Sequence, residues 1–159
     1  MVDLCELVKK FYFHPFTKGS NSIKKVLPAV LNDSDYLKRK YTKPIYGSAS
    51  GIVSLNYKDH SWIEIATDGK VKDPYKMLPP IFTDFDFEEI ESLLGSNTLA
   101  DGGAAMTAYS RMQFSEMSEV EADRIINALF KYCELDTFAM VMIVEYWQNA
   151  IQKWKKKVA

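Results

Sequence analysis

The sequence predicts an α-rich α+β fold, with four or more helices and one small β-hairpin. Three observations carry that expectation. After Thr83 the apolar residues recur at three- and four-residue steps, whereas Gly and Pro break up a middle stretch, 42–80, into short segments. The chain also has 159 residues, 47% hydrophobic and 26% charged, which suits one globular core. The expected organisation is a single domain or domain fragment over 1–159, with an insertion-like hairpin region at 42–80 and a helical region at 83–157.

Leu4, Leu7, Val8 and Phe11 share one helical face, with Lys9 and Lys10 on the wet side, so a short first helix is expected between Asp3 and Phe13. The loop from His14 to Ser22 ends in Ser20 and Ser22, either of which suits the N-cap of a helix starting at Ile23. Pro28 lacks an amide hydrogen, and that helix is expected to kink or end there. Asn32, Asp33 and Ser34 then cap a helix over Asp35 to Tyr41.

In the middle stretch, Ser61 to Ala66 alternates and Thr67-Asp68-Gly69-Lys70 is a tight-turn signal, which together predict the hairpin. Beyond it, Asp84 or Asp86 caps a helix carrying Phe87, Ile90, Leu93 and Leu94 and ended by Gly95. A helix over about Gly103 to Gln113 follows. The capping-box string Ser118-Glu119-Val120-Glu121 opens another, which carries Ile125, Leu129 and Cys133 and ends near Glu134. The last runs from Asp136 to about Lys156, with Ala139, Met140, Ile143, Val144, Trp147 and Ile151 inward and lysines at its C-terminus, where cations suit the helix dipole.

Composition also excludes function classes. The longest apolar run, Phe138 to Val144, is far shorter than the roughly 20 residues of a bilayer span, so no membrane segment is expected. Asp3 and Glu6 stand where a secretion signal needs positive charge, which points to a cytoplasmic protein. Cys5 and Cys133 lack metal or disulfide spacing and read as small buried hydrophobes. His14 and His60 have no second histidine at metal spacing, so neither zinc nor a Ser-His-Asp triad is expected. Gly102-Gly103 reads as tight helix packing rather than a phosphate loop, and Trp62, Trp147 and Trp154 as core or interface anchors.

The net charge of −1 conceals an asymmetry: residues 1–58 carry +6 and residues 59–159 carry −7. One reading is complementarity within the molecule. The other is that Lys9, Lys10, Lys18, Lys24, Lys25, Lys38, Arg39 and Lys40 form a wall of a phosphate-binding channel.

The densest chemical candidate is Tyr132-Cys133-Glu134-Leu135-Asp136-Thr137, in which Tyr132 and Asp136 stand one helical turn apart. In two-metal phosphodiester hydrolysis, carboxylates hold divalent cations while a hydroxyl orients the attacking water, and a Tyr-x-x-x-Asp pair supplies one of each. Spacing alone also allows a core tyrosine followed by an aspartate capping the last helix.

The string from Tyr132 to Met140, followed by an apolar helix, resembles the third motif of DEDDy-type 3′-5′ exonucleases, which have a ribonuclease H-like fold. With Gly19-Ser20-Asn21-Ser22-Ile23-Lys24-Lys25-Val26-Leu27-Pro28 and Asp101-Gly102-Gly103-Ala104-Ala105, in this order, the chain is similar to the bacterial domain of unknown function 2779. The resemblance implies that Tyr132 and Asp136 are catalytic, that Asp136 binds Mg or Mn, that Asp3 plays a supporting role, and that Lys18, Ser20, Lys24 and Lys25 contact nucleic acid. It further implies that the family's Asp-x-Glu strand motif and a second aspartate motif lie upstream of Val2-Asp3-Leu4. Asp86-Phe87-Glu88 matches Asp-x-Glu out of order and reads as a helix cap.

The expectation is therefore a C-terminal portion of a metal-dependent 3′-5′ exonuclease-like domain acting on nucleic acid, an enzyme only in a longer form and silent by itself. The alternative is a non-catalytic nucleic-acid-binding or structural module. Expected partners are nucleic acid, the upstream nuclease part and a second copy of the chain.

Overall fold

A computed structural model describes residues 2–79, 103–114 and 116–158. The protein is helix-rich, with five α-helices among these residues: α1 Leu4–Phe11, α2 Ile23–Asp33, α3 Asp35–Tyr41, α4 Gly103–Phe114 and α5 Glu119–Val158. Two single 3₁₀ turns, Pro15–Thr17 and Pro74–Met77, stand between them. The chain divides into two compact units, Met1–Met77 with Glu134–Ala159, and Leu78–Cys133. The helix expected around Phe87 to Leu94, its Asp84 or Asp86 cap and the Asp86-Phe87-Glu88 string lie outside the described residues.

In the first unit, α1 begins where Asp3 Oδ1 accepts the amides of Cys5 at 2.8 Å and Glu6 at 3.3 Å. Helix α2 starts after Ser22, which makes no side-chain cap, and runs through Pro28 rather than ending there. The proline removes one backbone bond, but Val26, Leu27, Ala29, Val30 and Leu31 are all buried around it, and that burial outweighs the lost bond. Ser34 Oγ accepts the Leu37 amide at 3.2 Å and starts α3 at the expected residue.

The middle stretch is held by isolated bridges, and no sheet is found among the described residues. Tyr46 pairs with Ile52 and with His60, and Ile65 pairs antiparallel with Val71. The Asp68-Gly69 turn forms, closed by the Ala66 amide on the Lys70 carbonyl at 2.8 Å. Alternation fails before the turn: Trp62 and Ile63 are adjacent and both buried, and the Ile63 amide goes to the Tyr41 carbonyl of α3.

The largest departure from expectation is α5, one helix of 40 residues where two were expected. Its start agrees, with the Glu121 amide on Ser118 Oγ at 3.2 Å. No Gly or Pro occurs between Glu119 and Val158, so the backbone has no reason to stop at Glu134. Asp136 is therefore an interior helical residue and not an N-cap. Its inward face also differs from the expected stripe: Leu135, Phe138, Ala139, Met142 and Ile143 are buried, whereas Met140, Val144 and Ile151 are exposed. Trp147 is half-buried. In the second unit Ile125 and Ala128 are buried.

Phe138 is the centre of the first unit's core. Its ring lies 5.4 Å from Tyr41, 4.6 Å from Tyr46 and 5.9 Å from Trp62, which brings α3, the middle stretch and α5 onto one aromatic cluster. Both cysteines are exposed, contrary to expectation. On α1 and α5 the inward positions go to other apolar side chains, Val8 on α1 and Leu135, Phe138 and Ala139 on α5.

Candidate functional site

Four carboxylates in the first unit accept hydrogen bonds from tyrosines. Glu134 and Asp136 lie two residues apart on α5, and each is met by the middle stretch.

Asp136 Oδ1 accepts the hydroxyl of Tyr75 at 2.7 Å. The Pro74–Met77 turn aims that tyrosine: Pro74 is buried, and Asp73 Oδ1 accepts the Tyr75 amide at 3.0 Å. On the same ring sits Lys24 of α2, its Nζ 5.8 Å from the centroid, within cation–π range. Two expected site residues, Lys24 and Asp136, are thus joined through Tyr75. Nothing in the sequence marks Tyr75 for this role except its place after an Asp-Pro turn.

Glu134 receives three donors: the Tyr46 hydroxyl at 2.7 Å and the Ser54 hydroxyl at 2.5 Å on Oε1, and the Asn56 amide nitrogen at 2.6 Å on Oε2. Partial burial pushes its pKa up, but the Ser54, Tyr46 and Asn56 bonds outweigh that and hold the carboxyl below its ordinary value. Burial and the adjacent carboxylate raise the Tyr46 phenol, which keeps it a donor. No local pattern in the sequence marks Glu134, because its partners lie about 80 residues away.

Farther along α5, Glu145 accepts Lys40 Nζ at 2.7 Å and the Tyr41 hydroxyl at 2.9 Å. Burial is the main cause lifting the Tyr41 phenol to about 12. Asp33 accepts the Tyr146 hydroxyl.

The other expected site residues are distributed as follows. Tyr132 lies on α5, half-buried. Asp3 is the α1 N-cap. Lys18 is exposed, in left-handed backbone at φ 51°, and Lys25 is exposed on α2. Ser20 Oγ accepts the Ser22 amide at 3.2 Å and shapes the entry to α2. Among the described residues, no group of three or more His, Cys, Asp or Glu is placed to hold a metal ion. Asp136 alone does not make up a divalent-ion site, because about four carboxylates are needed to offset two such ions.

Protein-family models, curated proteins and solved structures were compared with the chain, and none matches it.

Proposed function

We propose that this chain is the helical C-terminal portion of a ribonuclease H-like, metal-dependent 3′-5′ exonuclease domain, with the Asp68-Gly69 turn belonging to its small hairpin. The observation that carries the reading is the Lys24–Tyr75–Asp136 chain of contacts, which puts a carboxylate and the cation-rich start of α2 on the two ends of one tyrosine. A phosphodiester hydrolase of this kind needs both: cations to hold the phosphate backbone and a carboxylate to hold a divalent cation at the scissile bond. Tyr132, four residues before Asp136 on α5, provides a hydroxyl for orienting water. In a longer form, Asp136 together with carboxylates from outside these 159 residues would hold Mg²⁺ or Mn²⁺, which would supply a water of lowered pKa for the attack.

The test pairs the chain with a form extended upstream to include an Asp-x-Glu strand motif. Calorimetric titration of the chain with Mn²⁺ is expected to show millimolar or weaker binding, and labelled single strands are expected to survive it. In the extended form Asp136→Asn is expected to abolish metal-dependent trimming from the 3′ end, and Tyr132→Phe to slow it by a smaller factor. Undiminished trimming by Asp136→Asn would overturn the reading.

One observation favours a second reading, a non-catalytic module. Both acidic residues of the Tyr132 to Asp136 string are engaged by neutral donors, as carboxylates that anchor a loop to a helix are. An extended form that binds strands but never cleaves them would decide for it.

A further inference from the structure

The end of α1 and the loop after it expose three phenylalanines in a cationic part of the chain. Phe11 is 80% exposed, Phe13 85% and Phe16 54%. Residues 7–32 contain five lysines and no carboxylate.

The arrangement follows from the backbone. Tyr12 and His14 are extended, at φ −115° and ψ 120° and at φ −145° and ψ 135°, so neighbouring side chains alternate in direction. Tyr12 turns inward, its ring 6.4 Å from Tyr146 and 6.3 Å from Trp147 on α5. Phe11 and Phe13 consequently point out. Phe16 lies 5.8 Å from the His14 ring, whose Nδ1 accepts the Phe16 amide at 3.2 Å and fixes the turn. Beside them is a cleft of about 430 Å³ lined by Lys9, Lys10, Phe11, Phe13, Thr17 and Asn21. Lys18 follows in left-handed backbone, with Gly19 at φ 78° beside open space.

We propose that Phe11 and Phe13, with Lys9, Lys10 and Lys18, form a stacking platform for two or three nucleotides of a single nucleic-acid strand. This deepens the nucleic-acid reading above and rests on it for the class of ligand. Two residues of extended chain advance about 6.6 Å. A ring inserted between two bases separates them by two layers of about 3.4 Å each, nearly the same distance, so rings two residues apart can take successive gaps in one strand. Lys9 is paired with Glu6 at 2.8 Å, so Lys10 and Lys18 carry most of the charge that a phosphate backbone needs, and stacking tolerates any base.

A membrane surface is the rival occupant, since lysine and phenylalanine also suit a lipid interface. The geometry favours a strand, because α1 has only eight residues and the rings border a cleft whose walls include Thr17 and Asn21 rather than one continuous apolar face.

Fluorescence anisotropy with labelled dT12 and rU12 tests the platform on the 159-residue chain. Phe11→Leu and Phe13→Leu keep apolar bulk but remove the ring face, and each is expected to weaken binding about tenfold with no change in melting temperature. Lys10→Ala is expected to flatten the slope of log affinity against log salt by about 0.7. Comparison of the two strands assigns DNA or RNA. Binding that ignores both phenylalanines but responds to Lys10 would overturn the platform and leave the nuclease reading intact. Platform-dependent binding combined with undiminished trimming by Asp136→Asn in the extended form would sink only the nuclease reading. Absence of binding to either strand, phenylalanine-dependent binding to phosphatidylserine vesicles alone, or self-association abolished by the double variant in place of strand binding would each overturn the proposal.

Discussion

The hydroxyl of Tyr46 donates to Glu134 Oε1 across 2.7 Å, and the Tyr46 ring also lies 4.6 Å from Phe138 one turn farther along α5. One tyrosine therefore fastens the middle stretch to the long helix by a polar and an apolar contact together. Without a sheet ladder among the described residues, such side-chain ties take over the work of holding extended chain in place.

Removing the acceptor at Glu134 leaves three donors to find new partners. Glu134→Ala is expected to cost about 2 to 3 kcal/mol, and Glu134→Gln less, because the amide oxygen still accepts. Urea unfolding measures both. An alanine variant within about 0.5 kcal/mol of the parent would show that water replaces the carboxylate without loss.

The same contacts set a pH window. Glu134 is held below its ordinary value of 4.5, so its contribution is complete above that pH and is lost as the pH falls through the folded-state value, where the unfolded chain binds more protons. Tyr46 is raised above 10.0, so its contribution is complete below that pH and is lost as the pH rises through the folded-state value. Unfolding free energy is expected to plateau between these limits and fall at both ends, and Glu134→Gln is expected to flatten the acid limb. An acid limb unchanged in that variant would assign the loss to other carboxylates.

On α5, Phe138→Ala is expected to cost about 3 to 5 kcal/mol, because the ring is 6% exposed and touches three aromatic neighbours. Trp147→Ala should cost less, since that indole is half-buried, and Met140→Ala and Ile151→Ala less again, since both are exposed. Thermal melts of the four variants give the order, and Met140→Ala matching Phe138→Ala would place the inward face of the helix elsewhere.

Gly47 and Gly19 share left-handed backbone, φ 71° and φ 78°, but differ in surroundings. A Cβ on Gly47 would run into the backbone carbonyl of Tyr57, whereas one on Gly19 meets nothing. Gly19→Ala is expected to cost about 1 kcal/mol, from the left-handed conformation alone. Gly47→Ala should cost clearly more, with loss of the Tyr46–His60 pairing beside it. Equal melting temperatures for the two would contradict this close approach.

Both exposed thiols are expected to react with a chromogenic disulfide reagent in the native protein, giving two equivalents without denaturant. Protection of either until unfolding would restore the buried assignment that the sequence suggests.

Local chemistry in the sequence was enough to place α3 at Asp35 to Tyr41, the start of α5 after Ser118, the turn at Asp68-Gly69 and the helix at Gly103, since each is signalled by a cap, a turn residue or a short periodic run within a few positions. The joining of two expected helices into α5 needed only the observation that no Gly or Pro interrupts them; the carboxylate of Asp136 looks like a cap until Tyr75 is found on it. What tertiary structure alone decided is which side of each element faces in and which polar groups meet. Hydrophobic periodicity fixes a stripe to within about one residue, so Phe138 and Met142 rather than Met140 and Val144 could be chosen only by the rings of Tyr41, Tyr46 and Trp62. Lys24, Tyr75 and Asp136, or Ser54, Asn56 and Glu134, are separated by about 50 to 80 residues of chain, and no local pattern records a contact over such distances, because the carboxylate's partners are set by how the backbone returns and not by what stands beside it.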